Sequence, residues 1–275
     1  FDVEELTDFW RWLVGASGPV VVSIGSEAAD VPSADELEAI IEEARPAEVG
    51  GAAQAIDELI ATPDAAEITD ESTRRTPEGD VTTWTFANGV QVSHQQSDIQ
   101  AGQFFVAMES DGGWSTLDEP DASIAQAAVS AVIQSGVGDH DAATVARYLE
   151  SRDLGLDVAL EETAETLFGA SATSDAEDLF ALIHVTMTQP RVDDVALRSV
   201  GRQAETALEF LESNPVVQAE TVLLELLVDG DDRYDTFLRA GDIDALDGDE
   251  LLGVFATRFG TVDDLVVAIV GDIPA

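Results

Sequence analysis

Hydrophobic positions recur at helical spacing from the first residues of the chain. Val3, Leu6, Phe9, Trp10 and Leu13 fall on one face of a helix over 2–14, and Gly15 and Gly18 stop it. The β-branched run PVVVSIG (19–25) predicts a short buried strand. Ser33-Ala-Asp-Glu36 has the spacing of a capping box and predicts a helix through Ala44, ended by Pro46. Residues 1–45 therefore read helix, strand, helix. One strand cannot make a sheet, so its partners are expected before Phe1, and alone it would present an open edge.

Residues 46–80 are rich in Ala, Glu, Pro, Thr and Asp, with one short amphipathic stretch at 52–61, and read as a connecting segment and domain boundary. Beyond it the period changes to two. In TWTFANGVQVSHQQSD (83–98), Trp84, Phe86, Val90 and Val92 alternate with polar residues around Asn88-Gly89. That pair predicts a hairpin with a tight two-residue turn, both of whose central positions have positive φ.

A strand at 103–110 and a helix at 121–134, carrying small residues along its length, come next. A helix at 141–152 precedes strand-like runs at 156–162 and 165–173. Asp175 caps a helix to Thr188 that Pro190 stops, helical patterns follow at 193–212, 215–228 and 247–259, and DDLVVAIVGD (263–272) reads as a closing strand. This order predicts an α+β sandwich, an antiparallel-leaning sheet covered by helices.

The chain of 275 residues is 45% hydrophobic, enough to bury a sizeable core. Its net charge of −44 is interleaved with apolar residues along the whole length, which reads as a solvated surface suited to salty surroundings and not as disorder. A one-signed field of this kind also attracts basic peptides or cations. Lysine is absent and only 12 arginines oppose 56 acids, which argues against nucleic acid as a partner. The lack of cysteine removes disulfides, thiolate catalysis and cysteine-type zinc sites. No apolar run approaches the roughly 18 residues of a membrane span. Phe1 opens directly on a helix-like stretch with no initiator Met or signal pattern, as expected of a piece of a longer polypeptide.

Candidate chemistry is sparse. His94, His140 and His184 include no pair at the i, i+4 spacing that places two imidazoles on one helix face, so a metal site is not expected. Each could serve as a general base, though a lone histidine is more often a surface or core residue. There is no G-x-S-x-G, Gly136-Val-Gly138 is too short for a phosphate loop, and carboxylate pairs are too many to single one out. Arg233-Tyr234 offers guanidinium and hydroxyl donors to a peptide carbonyl or carboxylate; the plainer reading is an interhelical loop with a tied-down aromatic.

Taken in order, these elements resemble the pitrilysin-type zinc peptidases, the M16 or insulinase-like family, in its two-halved bacterial form. The likeness runs through the hairpin at 83–98, SAVIQSGVGDHDA, DLFALIHVTMTQPRVDD, ALEFLESNPVVQAE and FATRFGTVDDLVVAIVGDI. Catalytic domains of that family carry H-x-x-E-H on the first helix and a glutamate ligand on a later one. By count from Gly136, the first window falls on Ala127-Ala128-Val129-Ser130-Ala131; by count from Asn214, the third ligand falls near Ala207, with Glu205 and Glu209 close by. The resemblance thus implies a non-catalytic domain from the second half: 1–45 as the remnant of a preceding domain, 46–80 as linker, and 81–275 as the domain itself. It implies no catalytic, metal or cofactor residue in this chain, zinc in a catalytic half of the parent, and enclosure of a peptide against that half, supplied by the same polypeptide or a partner subunit. The family's substrate-contacting Arg and Tyr belong to a later domain, so Arg233 and Tyr234 do not inherit that role. Relatives of this form are often exported, which favours an extracytoplasmic location. The alternative is a scaffold or binding module built on the same fold with no part in proteolysis.

Overall fold

The computed structural model describes residues 2–15, 22, 32–44, 56–234 and 237–274. The chain divides into two units, 1–52 and 53–275. In the first, α1 (Val3–Gly15) and α2 (Ala34–Ala44) form where the apolar period places them. The capping box at the start of α2 is reciprocal: Glu36 N donates to Ser33 Oγ at 3.4 Å and Ser33 N to Glu36 Oε2 at 2.8 Å. The strand expected at 19–25 lies outside the described residues apart from Val22.

The second unit begins its regular structure with β1 (Ile68–Thr76), β2 (Gly79–Phe86), β3 (Gln91–Gln96) and β4 (Gln103–Asp111). Helix α3 (Glu119–Ser135) leads through a miniature hairpin, β5 (Gly136–Val137) and β6 (His140–Asp141), into α4 (Ala142–Glu150). Strands β7 (Leu154–Leu160) and β8 (Ala164–Ala172) are followed by α5 (Ala176–Thr188), α6 (Asp194–Ser213) and α7 (Pro215–Leu227). A short α8 (Ala240–Asp244), α9 (Gly248–Phe259) and β9 (Val266–Gly271) close the unit. The sheet order is β1-β2-β3-β9-β4-β8-β7. Every pairing is antiparallel except β3 with β9, so the α+β, antiparallel-leaning reading holds and the last strand of the chain lies at the centre.

Alternation along β4 turns Phe104, Val106 and Met108 into the core and leaves Phe105, Ala107 and Glu109 on the opposite side of the sheet. The small residues of α3 explain its place. Ala125, Ala128 and Ala131 are fully buried, and lacking bulk they let α3 lie close to α6 and α9, where Phe255 and Phe259 stack at 4.5 Å.

Two expectations are corrected. Residues 46–80 are not merely a connecting segment, because β1 lies within them and pairs along its length with β2, and Leu59 is buried in a second cluster with Val145, Tyr148 and Val185. The strand ITDESTRRT shows no apolar alternation because nearly all of it faces solvent. The hairpin turn also differs. Phe86 N donates to Val90 O and Gly89 N to Phe86 O, enclosing a three-residue loop in which Gly89 (φ 94) has positive φ and Asn88 does not. This is the geometry of a turn closed by a glycine bulge, with Asn88 Oδ1 instead accepting from Val90 N at 3.3 Å.

Candidate functional site

The window 127–131 lies on α3, and one face of that helix, carrying Ser123, Gln126, Ala127 and Ser130, lines a cavity of about 480 Å³. Gln203, Ala204 and Ala207 of α6 form the facing wall. Leu224 of α7 and the segment around Arg233 and Tyr234 contribute to the remainder. The structure therefore brings together the two places where the family's ligands are expected, although they are about eighty residues apart in sequence.

Local chemistry fixes these walls. Asp193 caps α6, its Oδ1 accepting from Val195 N at 3.0 Å and Ala196 N at 2.8 Å. Its own backbone N–H donates to Ser135 Oγ at 2.9 Å, which ties the start of α6 to the end of α3. Asn214 caps α7 in the same manner, with Pro215 at the first helical position. Gln126 Nε2 donates to Leu160 O at 2.7 Å and holds α3 against the end of β7.

Arg233 and Tyr234 are secured by their neighbours. The Arg233 guanidinium grips Asp231, with Nη2 to Oδ2 at 2.6 Å, and donates through Nη1 to Ser115 O at 2.7 Å. This hydrogen bonding holds the Asp231 carboxyl below its ordinary range. Tyr234 Oη donates to Glu162 at 2.8 Å, which pushes the phenol pKa up, and its ring meets Trp114 edge-on at 4.9 Å. The plainer reading of a tied-down aromatic is what the structure shows, although both side chains border the cavity.

The histidines lie apart from this cavity. His94 is buried and pairs through Nε2 with Ile273 O at 2.9 Å. His140 Nε2 pairs with Leu59 O at 3.2 Å, while His184 is exposed on α5; both border a separate cleft beside Asp139 and Gln189. Gly136-Val-Gly138 forms the miniature hairpin, where a Cβ on Gly136 would lie 2.3 Å from His140 O.

Zinc requires imidazole, carboxylate or thiolate donors. Ala127, Ser130, Ala131 and Ala207 offer methyl groups and one hydroxyl, so this donor set does not fit the metal. Glu205 and Glu209 are exposed and are not part of the cavity wall. Among the described residues, no group of three His, Asp or Glu side chains could hold a metal ion. The cavity wall suits apolar contact with a few polar groups at its margin. The sequence held one unread signal for it, the i, i+3, i+4, i+7 recurrence of small and polar residues at 123, 126, 127 and 130.

No protein-family model matches the chain. Over 125 residues it is 24% identical to the probable zinc protease PqqL of Haemophilus influenzae, a match covering 46% of this chain and 14% of that one. The crystal structure of the periplasmic protease PqqL from Escherichia coli superposes with a TM-score of 0.69 at 21% identity, over 88% of this chain and 27% of that one. A peptidase M16 inactive domain from Pseudomonas fluorescens superposes with a TM-score of 0.58 at 18% identity, over 70% of this chain and 47% of that one. The chain thus spans less than half the length of each of these relatives. Its resemblance is to the M16 peptidases, and its fold is the one their domains share.

Proposed function

We propose that this chain is a non-catalytic part of an M16-type zinc metallopeptidase and supplies one wall of a peptide-enclosing chamber. The observation that carries this reading is the cavity between α3 and α6, where in an M16-type fold Ala127 and Ala207 stand at places expected for zinc ligands and Ser130 at the place of the window's glutamate. Enclosing a substrate requires a large complementary surface from this side and no reacting group. Zinc and hydrolysis then belong to a catalytic half on the same polypeptide or on a partner subunit. Residues 1–45 are the tail of a preceding domain, and the net charge of −44 favours basic peptides as substrates. No helix among the described residues is long and apolar enough to cross a membrane.

The test is metal content and cleavage. After incubation with zinc and dialysis, the 275-residue chain is expected to retain no stoichiometric metal by elemental analysis and to leave peptides intact. Adding a catalytic half that bears H-x-x-E-H is expected to give a zinc-dependent peptidase whose activity on basic peptides rises with this chain present. Stoichiometric zinc in the isolated chain, or metal-dependent cleavage by it, would overturn the proposal.

A further inference from the structure

Helix α7 is apolar on two sides, yet none of its residues is buried. Val217, Thr221 and Leu224, at i, i+4 and i+7, make its half-buried inner face, and Leu224 reaches the cavity. The outer face carries Val216, Val222, Leu223, Leu226 and Leu227, all between 53% and 75% exposed. A helix that is apolar all round is normally enclosed, and a contiguous apolar stripe on a surface marks a contact site.

The spacing of the stripe indicates the shape of what covers it. Val216, Ala219, Leu223 and Leu226 follow the three-then-four alternation of a coiled-coil seam, with Val222 and Leu227 widening it. That period matches another α-helix. Charge then selects among helices. Glu220 borders the stripe on one side and Glu225 on the other, Glu212 and Asp229 lie just beyond the helix ends, and α7 has no basic residue. A second copy would bring these acids against one another within a chain of net charge −44, which disfavours self-pairing.

We propose that the outer face of α7 is a docking surface for an amphipathic helix of a partner protein whose apolar stripe is edged by Lys or Arg. The surface lies on the side of α7 opposite the cavity, and the proposal stands whether or not the chamber reading holds.

The test uses the whole chain and a fluorescent synthetic peptide of about three heptads, with Leu at the seam positions and Lys at the flanking ones. Saturable binding by anisotropy is expected, weakened about tenfold or more by L223Q/L226Q, a variant that keeps every charge. Circular dichroism and thermal unfolding of that variant are expected to match the parent, because both leucines are exposed. A second variant, E220K/E225K, keeps the stripe and is expected to lose the Lys-edged peptide and gain a Glu-edged one. Binding unaffected by both variants would overturn the proposal, because it would place the peptide elsewhere on the acidic surface. So would equal affinity for Lys-edged and Glu-edged peptides, or a dimer of the chain that L223Q/L226Q dissolves.

Discussion

Arg258 Nε donates to Glu165 Oε1 at 2.5 Å, joining the last turn of α9 to β8 where Glu165 is 1% exposed. The same carboxylate accepts from Gly113 N at 2.9 Å and Ser110 Oγ at 3.1 Å, so both of its oxygens are engaged. Such a pair adds little over an apolar replacement of both partners, but losing one partner strands the other. Glu165→Ala is expected to cost about 3–5 kcal/mol in denaturant unfolding, with Glu165→Gln costing less because its amide oxygen still accepts from Gly113 N and its amide NH2 can donate to the Ser110 hydroxyl. An unchanged unfolding midpoint for Glu165→Ala would refute the structural role.

Tyr148 makes the second cluster sensitive to alkaline pH. Burial, reinforced by its hydrogen bond to Asp178, pushes the phenol from 10.0 to about 12. Asp178 is also held by Arg152 Nε at 2.7 Å, and that guanidinium lies 3.6 Å from the Tyr148 ring centroid. The fold binds the phenolic proton more tightly than the unfolded chain does. Its stabilisation is therefore complete below pH 10 and is lost as pH rises through about 12. Tyr148→Phe is expected to flatten that part of the stability curve relative to the parent, measured by denaturant midpoints across the window. Parallel curves for the two proteins would count against the shift.

The hairpin turn separates two glycine arguments. Gly89 has φ 94, and a Cβ there would lie 2.8 Å from Asp263 O, so Gly89→Ala is expected to cost about 1–2 kcal/mol or more. Asn88 has no positive φ, and Asn88→Ala removes only its 3.3 Å hydrogen bond to Val90 N. Its expected cost is under about 1 kcal/mol. Equal costs in thermal unfolding would restore the two-residue turn.

Elements with a buried face were legible because burial imposes a period. The alternation of β4 and the capping box of Ser33 placed their strand and helix to within a residue or two. Asp175 marks the start of α5 as expected but does not cap it, its Oδ2 accepting from Asp153 N at 2.9 Å instead. Strand β1 was hidden for the opposite reason: an edge strand in solvent keeps its backbone pairing but needs no apolar pattern. Leu59 falls in the short amphipathic stretch at 52–61, and Ile56 and Ile60 pack on the same cluster, but so short a pattern does not show which surface it covers. At the site, the small residues of α3 were visible in the sequence. That Ala127 and Ala207 share a cavity follows only from the way α6 returns alongside α3.

That return makes histidine substitutions on α3 informative. Ala127 and Ala131 are the two positions that the count from Gly136 assigns to imidazoles in the proposed reading, but their surroundings differ. Ala127 borders the cavity, so a histidine there has space to project into. Ala131 is fully buried outside the cavity wall, among side chains packed at interior density. Ala131→His is expected to lose about 1–3 kcal/mol to overpacking and to burial of an imidazole, whereas Ala127→His loses under about 1 kcal/mol. Both are read by denaturant unfolding. Equal losses would mean that the cavity lies in a different register from the one inferred. The expected difference would mean that the core of α3 is packed closed around position 131, so introducing histidines singly cannot build a metal site without first opening the packing between α3 and α9.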